Sequence, residues 1–301
     1  MKIVNIDGKD MRLEGKLVRV VALEGEGYKF LRDPEAMLAA LRKQKPSSDL
    51  FTFIRPIAEA GVKYPFAMEW DNMAALPIST FDNWWNQQIG FKARNKAKQA
   101  TKKGVVICEI PFDDTLVRGI WEIYNECPIR QGRRFPHYGK SLEEVRKMSA
   151  TFPDSSIFVG AFDGDKLIGF IKLTMDDNRA QAGMMHILSM IRHRDKAPTN
   201  ALVVQAVRSC AERGIKQLVY SNFAYGNKQQ STLSDFKERN GFQRVDIPRY
   251  YVPLTRWGAL AFRMGLHRRF AERVPEPLAA RLRELRGRWY QHKFQLKAES
   301  F

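Results

Sequence analysis

The chain has 301 residues, enough for one large domain or two small ones with a sizeable core. Its 50 Lys and Arg residues outnumber 33 Asp and Glu residues, and the net charge of +17 favours a polyanionic partner, although a basic protein without such a partner is the plain alternative. The three cysteines are widely spaced, without a Cys-x-x-Cys or Cys/His cluster, so neither a disulfide framework nor a metal site is expected. The start of the chain lacks a signal-peptide pattern, and no apolar run approaches the ~18 residues of a spanning helix, so we expect a cytoplasmic protein.

The first 104 residues predict a small α+β unit. Residues 1–31 alternate apolar and polar side chains, which is typical of a strand pair. A helix is expected to begin near Pro34, and further strands are expected over 50–57 and 64–70.

A long helix is predicted over 81–101, and its second half is strongly basic. No Asp or Glu lies among its cations, so they repel one another unless an anionic partner is near. A solvated linker helix is the alternative. The cations occupy more than one face of the helix: Lys92, Arg94, Lys96, Lys98, Lys102 and Lys103.

Strands and helices alternate from residue 105 onward. A strand over 105–110 precedes an amphipathic helix that begins at Asp113, and a Ser141/Glu144 capping box begins the next helix. A tight turn near Gly164 then joins two strands as a hairpin, and a third strand follows. We therefore expect three antiparallel strands in succession.

The loop between these two helices is both cationic and aromatic. Guanidinium groups bind carboxylates and phosphates through forked hydrogen bonds, which favours an anionic acceptor, and a ring side chain would position its nucleophile. An exposed basic loop without a ligand is the alternative. The predicted acceptor-binding residues are Arg130, Arg133, Arg134, His137 and Tyr138.

The order of elements between residues 182 and 242 carries most of the functional information. An apolar strand over 183–191 leads into a basic loop, and Pro198 begins a helix with one apolar face. A second apolar strand over 217–221 precedes a short helix. His186 lies in the first strand, where it is a candidate general base, although a buried core histidine is the more common situation.

This order resembles the acyl-donor half of the GNAT acyltransferase superfamily, and the stretch from Phe236 to Phe242 is similar to its Phe-Tyr-x-x-x-Gly-Phe signature. The resemblance implies that the strand ending at Ser189 splays from its neighbour and exposes backbone N–H groups to the donor and the oxyanion. It also implies a donor loop of the form Arg/Gln-x-x-Gly-x-Gly/Ala. The donor-binding residues that it indicates are Leu188, Ser189, Arg192, Arg194, Lys196, Ala197, Thr199 and Asn200.

The donor loop departs from that pattern at both glycine positions. Ala197 and Thr199 occupy them, and Pro198 lies between. Glycine permits the backbone to approach a phosphate closely, whereas a side chain hinders the approach and proline removes an N–H donor. The loop remains basic.

Lys237 occupies the position at which many GNAT enzymes have a tyrosine that protonates the leaving thiolate. The pattern Leu233-x-x-Phe236-Lys237 resembles the FemABX branch, and residues 93–100 resemble the region before its second unit. That resemblance implies aminoacyl-tRNA in place of acyl-CoA as the donor. An exposed helix lysine is the alternative for Lys237, and both donors stay open.

From residue 253 onward, Trp, Leu and Phe residues interleave with Arg. Basic amphipathic helices that contain Trp can lie on an anionic membrane surface. Alternatively their apolar stripe packs on the core and leaves the arginines in water. We favour core packing slightly and keep peripheral membrane contact as the second interpretation.

Together these patterns predict an α/β protein with an α+β mixed sheet and a GNAT-like acyltransferase fold. Residues 1–104 form a first unit, which is either a degenerate GNAT-like copy or an unrelated cap; 105–254 form the GNAT-like domain, and 255–301 a basic helical tail. The predicted activity is transfer of an acyl or aminoacyl group from acetyl-CoA, another acyl-CoA or aminoacyl-tRNA to an amine, with Lys237 and His186 as catalytic residues and no metal.

The resemblance further implies an anionic acceptor that carries its amine on a cell-envelope sugar or peptide precursor. The predicted partners besides the acceptor are tRNA and an acidic membrane surface. A non-catalytic protein that binds nucleic acid or membrane on the same scaffold is the alternative function.

Overall fold

The computed structural model describes residues 2–44, 47–130, 132–225 and 231–268, together with 281–282, 284–286 and 288–290. For residues 1–31 the sequence predicts two strands, whereas the structure has three, which form an antiparallel meander. The elements of the first part of the chain are β1 (Lys2–Ile6), β2 (Lys9–Glu14), β3 (Val20–Leu23), α1 (Pro34–Gln44), β4 (Leu50–Phe53) and β5 (Ala67–Pro77).

The long helix predicted over 81–101 is wrong, because the chain breaks at Gly90. A helical turn α2 (Phe81–Asn83) continues as a π-helical turn (Trp84–Gln88), and α3 (Phe91–Lys102) begins after extended backbone. The wholly buried Trp84 donates its indole N–H to the carbonyl of Asn240 at 3.0 Å, and the Gly90 N–H donates to the carbonyl of Arg239 at 2.8 Å. These long-range bonds fix the break, and local sequence does not encode them.

The remaining elements follow the predicted order closely. The Ser141/Glu144 capping box and the Asp113 cap are confirmed. In chain order the elements are β6 (Val105–Ile110), α4 (Asp114–Asn125), β7 (Ile129–Arg130), β8 (Arg133–Arg134), α5 (Leu142–Ser149), β9 (Ser156–Asp163), β10 (Lys166–Met175), β11 (Gln181–Ser189), a 3-10 helix (Ile191–Lys196), α6 (Pro198–Glu212), β12 (Gln217–Asn222), α7 (Thr232–Arg239), β13 (Gln243–Pro253) and α8 (Arg256–Arg263).

One sheet of eleven strands runs through the described chain in the order β1-β2-β3-β4-β13-β5-β12-β11-β10-β9-β6. The predicted antiparallel series β9, β10 and β11 is confirmed, and β11 then pairs with β12 in parallel. Strand β13 returns to lie between β4 and β5, so hydrogen bonding continues across the boundary predicted at residue 104. The division into domains stays a prediction, whereas the mixed α/β class is confirmed.

Helices cover both faces of the sheet where β11 lies. Leu202 of α6 and Ala93 of α3 pack in one apolar cluster with Met184 of β11. Ile120 of α4 packs with Phe170 of β10 in another. No helix in the described ranges is long and apolar enough to cross a bilayer. The junction of β11 and β12 therefore lies inside the sheet, between two helical layers.

Candidate active site

The parallel strands β11 and β12 separate soon after they begin. They pair only where Gln181–Gly183 of β11 faces 217–219 of β12. Beyond that point β11 has a bulge beside Lys172 of β10, and the register of β12 against β5 shifts between Val219 and Asn222. The bulges turn backbone groups out of the regular ladder. Among the described residues the two strands are not paired beyond this point, which leaves a gap between them and agrees with the predicted splay.

Lys237 lies at this gap with its side chain fully buried. It projects from α7, donates to the main-chain carbonyl of Asn222, and its Nζ lies 4.5 Å from the ring centroid of Tyr220 and 4.9 Å from that of Tyr225. Burial lowers the pKa of Lys237 to about 8, and no carboxylate of the described residues opposes that shift. The ammonium can therefore release and regain a proton close to neutral pH.

Two further tyrosines beside this gap are absent from the predicted site. Tyr28, in the loop after β3, lies against Gly183, where an added Cβ would come within 2.5 Å of the tyrosine ring. Burial, with a smaller effect of Tyr225, raises the pKa of Tyr28 to about 12 and raises that of Tyr220 as well. Both hydroxyls stay protonated at neutral pH and are available as hydrogen-bond donors.

A half-buried chain of polar contacts joins Lys237 to the first part of the protein. Arg249 Nη1 lies 2.6 Å from Glu26, and its Nε lies 2.8 Å from Asp71. The amide of Asn222 donates to the other oxygen of Asp71 at 3.3 Å, and the carbonyl of Asn222 accepts from Lys237. Although burial disfavours its charge, the two carboxylates raise the pKa of Arg249 above its usual value. This network fixes the carbonyl that orients the ammonium.

His186 lies on β11 opposite Lys172, and its ring meets that of His137 edge-on at 6.2 Å between centroids. Burial, then His137 and Lys172, lower the pKa of His186 to about 4. The imidazole is therefore neutral at pH 7 and a weak base, so it suits hydrogen bonding better than proton abstraction. Burial also lowers the pKa of His137, whose Nδ1 is buried without a hydrogen-bond partner among the described residues.

Lys172 is a second fully buried lysine that sequence reasoning missed. Its Nζ donates to the carbonyl of Ser149 at 2.8 Å and to both oxygens of Thr151, with the hydroxyl at 2.9 Å. Burial lowers its pKa to about 8. Since its three protons are all engaged, Lys172 holds the loop between α5 and β9 in place.

The predicted donor loop is the 3-10 helix after β11, and acidic side chains already occupy much of it. Glu126 accepts the N–H groups of Ile191 at 2.7 Å and Arg192 at 3.0 Å. Asp163 lies 2.5 Å from Lys196 and 3.2 Å from His193. These two carboxylates, which come from outside the loop, therefore balance much of its positive charge and accept two of its N–H groups.

The end of the donor loop carries the residues that replace glycine. Ala197 adopts left-handed backbone with φ of 52°, and it precedes Pro198 without giving α6 a side-chain cap. Thr199 shares a 2.8 Å hydrogen bond with Ser189, while Leu188 lies beside Ser189 on β11. Arg194 is exposed and forms no ion pair with a described residue.

The predicted acceptor residues do not act as one cluster. Arg130 donates to the carbonyl of Ser189 at 2.8 Å and to Glu126 at 3.0 Å, so it fixes the end of β11 instead of projecting into solvent. Arg133 and Arg134 form β8 and are exposed, as is Tyr138. The three exposed residues remain available to an anionic ligand.

A groove of about 480 Å³ opens between α3, α6 and α7. Its cations Lys92, Lys96 and Arg239 form no ion pair with a described carboxylate; Lys96 instead donates to Gln99 at 3.0 Å. Asn200, in the first turn of α6, and Phe236, the neighbour of Lys237, also line it. Among the described residues no three metal-ligating side chains cluster.

Comparison with known proteins shows the fold. No protein-family model and no curated protein sequence matches the chain. The C-terminal domain of a putative lysylphosphatidylglycerol synthetase from Agrobacterium fabrum superposes with a TM-score of 0.57 at 12% identity, over 88% of this chain and 87% of that one. FemX gives 0.57 at 9% identity, over 87% and 89%. The structure of L-PGS from Bacillus licheniformis gives 0.53 at 14% identity, over 83% of each chain. The chain therefore has the GNAT-like fold of the FemABX type.

Proposed function

We propose that this protein is an aminoacyltransferase, which moves an aminoacyl group from aminoacyl-tRNA to an amine acceptor. The observation that carries the proposal is Lys237, a buried ammonium that donates to the carbonyl of Asn222 at the end of β12 and lies against the rings of Tyr220 and Tyr225. An acid whose pKa lies near neutral pH suits a step in which an alkoxide leaves. The resemblance to the FemABX branch supports the same donor.

The donor loop favours tRNA over acyl-CoA. A bound pyrophosphate needs free N–H groups and unpaired cations, whereas Glu126 and Asp163 already engage those of Ile191, Arg192 and Lys196. The side chain of Ala197 and the missing N–H of Pro198 reduce the site further. Acyl-CoA would have to displace two carboxylates.

The groove between α3 and α7 favours a nucleic acid. Its unpaired lysines suit a phosphate backbone, and Phe91 at the start of α3 is 74% exposed. Single-stranded nucleic acids bind to cationic grooves that also offer aromatic rings for base stacking. Because Phe236 lines the groove and Lys237 is the next residue of α7, we propose that the acceptor end of a tRNA in this groove extends toward Lys237.

The chemistry is attack of the acceptor amine on the ester carbonyl carbon of the aminoacyl group. A C–N bond forms, the C–O bond to the ribose breaks, and the ammonium of Lys237 protonates the leaving oxygen. The proton lost by the attacking nitrogen restores that ammonium. Free N–H groups of β11 and the hydroxyls of Tyr28 and Tyr220 stabilise the oxyanion. We propose an anionic cell-envelope sugar or peptide precursor as the acceptor, which Arg133 and Arg134 would bind.

The test is a single-turnover assay with a pool of radiolabelled aminoacyl-tRNAs, the protein and amino-sugar or peptide-precursor acceptors. We expect transfer of label to an acceptor amine, and loss of transfer in Lys237→Met with tRNA binding unchanged. Salt-dependent tRNA binding without turnover in the wild type would instead favour the non-catalytic alternative. Transfer from acetyl-CoA but not from aminoacyl-tRNA would contradict the proposed donor.

A further inference from the structure

Helix α8 is held rigidly on the body of the protein by one face. Ala261 is buried, and Gly258 approaches the carbonyl of Asp49 so closely that an added Cβ would lie 1.9 Å from the oxygen. The hydroxyl of Thr255 caps the helix by accepting the Gly258 N–H at 2.9 Å. Gly258 and Ala261 of the predicted tail therefore pack on the core, and the choice between core packing and membrane contact for its apolar stripe stays open. Residues 269–280, 283, 287 and 291–301 of the tail lie outside the described residues.

A stripe beside the buried face of α8 is apolar and exposed. Trp257 is 39% exposed, Leu260 49% and Met264 60%, at the i, i+3, i+7 spacing of one helical stripe. The indole N–H of Trp257 donates to the carbonyl of Leu17 at 3.1 Å, which fixes the ring and brings Leu17, itself 66% exposed, beside the stripe. These four side chains form what we call the α8 platform.

Cations border the α8 platform. Arg256 and Arg263 of α8 and Lys16 next to Leu17 are all exposed. No Asp or Glu occurs between residues 247 and 268 of the sequence. Two carboxylates contact α8 and the residues after it: the buried Asp49 accepts from the Thr255 hydroxyl at 3.2 Å, and Glu69 pairs with His267 and Arg268. The platform is therefore an apolar stripe with a positive rim.

The same arrangement recurs further along the chain. Leu282, Leu285 and Trp289 are 52%, 56% and 56% exposed, again at i, i+3, i+7 spacing. Arg281, Arg286 and Arg288 accompany them. Two separate helical stretches thus combine exposed aliphatic side chains, one Trp each and several arginines.

We propose that the α8 platform docks on an anionic lipid bilayer. Aliphatic side chains enter the acyl boundary, an indole suits the interface, and the rim of cations matches anionic headgroups. A nucleic acid is a poorer match, because only Trp257 offers a ring for base stacking, whereas Leu260, Met264 and Leu17 are aliphatic. This inference does not rest on the proposed function, since the platform contains none of the residues assigned to catalysis.

The test is flotation of the full-length protein with vesicles of phosphatidylglycerol and phosphatidylcholine, and with phosphatidylcholine alone. We expect partition into the anionic vesicles that persists in part at about 0.5 M salt, where screening leaves mainly apolar contacts. Leu260→Ser/Met264→Ser should lower that partition about tenfold and leave aminoacyl transfer in solution unchanged. Val62→Ser/Val106→Ser is the matched control, because both valines are 59% exposed and lie elsewhere.

An equal loss in the control pair, or an unchanged partition in the platform variant, would overturn the proposal. So would a fall in tRNA affinity in the platform variant, since the face would then belong to a nucleic-acid site. If Leu282→Ser/Leu285→Ser abolishes partition while the α8 variant retains it, the second stripe binds the bilayer and the α8 platform does not.

Discussion

Two basic regions flank α6, and they differ in what their cations contact. In the 3-10 helix before α6, Lys196 and His193 meet Asp163, and Glu126 occupies two backbone N–H groups. In the groove against α3, Lys92 and Arg239 have no described carboxylate partner. A cation already paired inside the protein contributes little to a ligand, whereas an unpaired one favours a polyanion. Basic composition alone therefore does not locate a phosphate site; the acidic neighbours of each cation must also be known.

The largest expected effect comes from Lys237→Met, because the groove leads to this ammonium. Removing a general acid lowers turnover by about 10²- to 10⁴-fold. Rapid-quench measurement of aminoacyl transfer checks the rate, and filter binding checks that tRNA affinity is retained. Lys172→Met is the matched control, since it removes another fully buried lysine, one whose ammonium donates to Ser149 and Thr151 on the β10 side of β11. Equal losses in the two variants would mean that folding and not proton transfer is affected.

The next effect separates the two basic regions directly. Lys92→Glu/Lys96→Glu should weaken tRNA binding about 10- to 100-fold and lower the slope of log Kd against log salt by about 1.4 to 1.8, since two phosphate contacts are lost. Lys196→Glu, which removes a donor-loop cation already paired with Asp163, should weaken binding less than about threefold. Lys102→Glu is the control on α3 outside the groove. If the Lys196 variant shows the larger change in slope, the assignment of the two regions is reversed.

A smaller effect tests whether the first part of the chain contributes to the site. Tyr28→Phe should lower the transfer rate about fivefold, the worth of one neutral hydrogen bond of about 1 kcal/mol, without a change in thermal midpoint. Tyr64→Phe is the control, because Tyr64 packs in the separate aromatic cluster around Phe53. An unchanged rate would leave Tyr28 with a packing role against Gly183 only.

A separate prediction concerns the free energy of unfolding as a function of pH. Lys172 and Lys237 have a pKa of about 8 in the folded protein and about 10.4 when unfolded. Between these values the unfolded chain binds more protons, so the free energy of unfolding should rise from pH 8 to 10. Above pH 10 the raised pKa of Tyr28 and Tyr220 reverses the trend. Urea melts of wild type and Lys172→Met check this: the variant should show a shallower rise, and an equal slope would contradict the assignment.

Local sequence signals predict much of the fold but only part of the site. The β9–β11 series, α6 and α7 have clear periodicity and caps, so their existence is predictable. The break at Gly90 is not, because it depends on the carbonyl of Arg239, far along the chain. Lys237 is found through a family pattern.

The rest of the site depends on residues that only the fold brings together. Tyr28 meets Gly183 across 155 positions, and no motif marks either. Glu126 and Asp163, which contact the donor loop, lie at the C-terminal cap of α4 and at the end of β9. A count of cations in the loop therefore overstates its affinity for phosphate.

The most direct test of the central claim is calorimetric titration of the protein with acetyl-CoA at moderate salt, beside a titration with aminoacyl-tRNA. With the donor loop neutralised, we predict no saturable binding of acetyl-CoA up to about 1 mM, a free energy near −4 kcal/mol. Aminoacyl-tRNA should bind saturably. Tight acetyl-CoA binding that Arg194→Glu abolishes would contradict the account, because it would place the donor's phosphates on the loop and not in the groove.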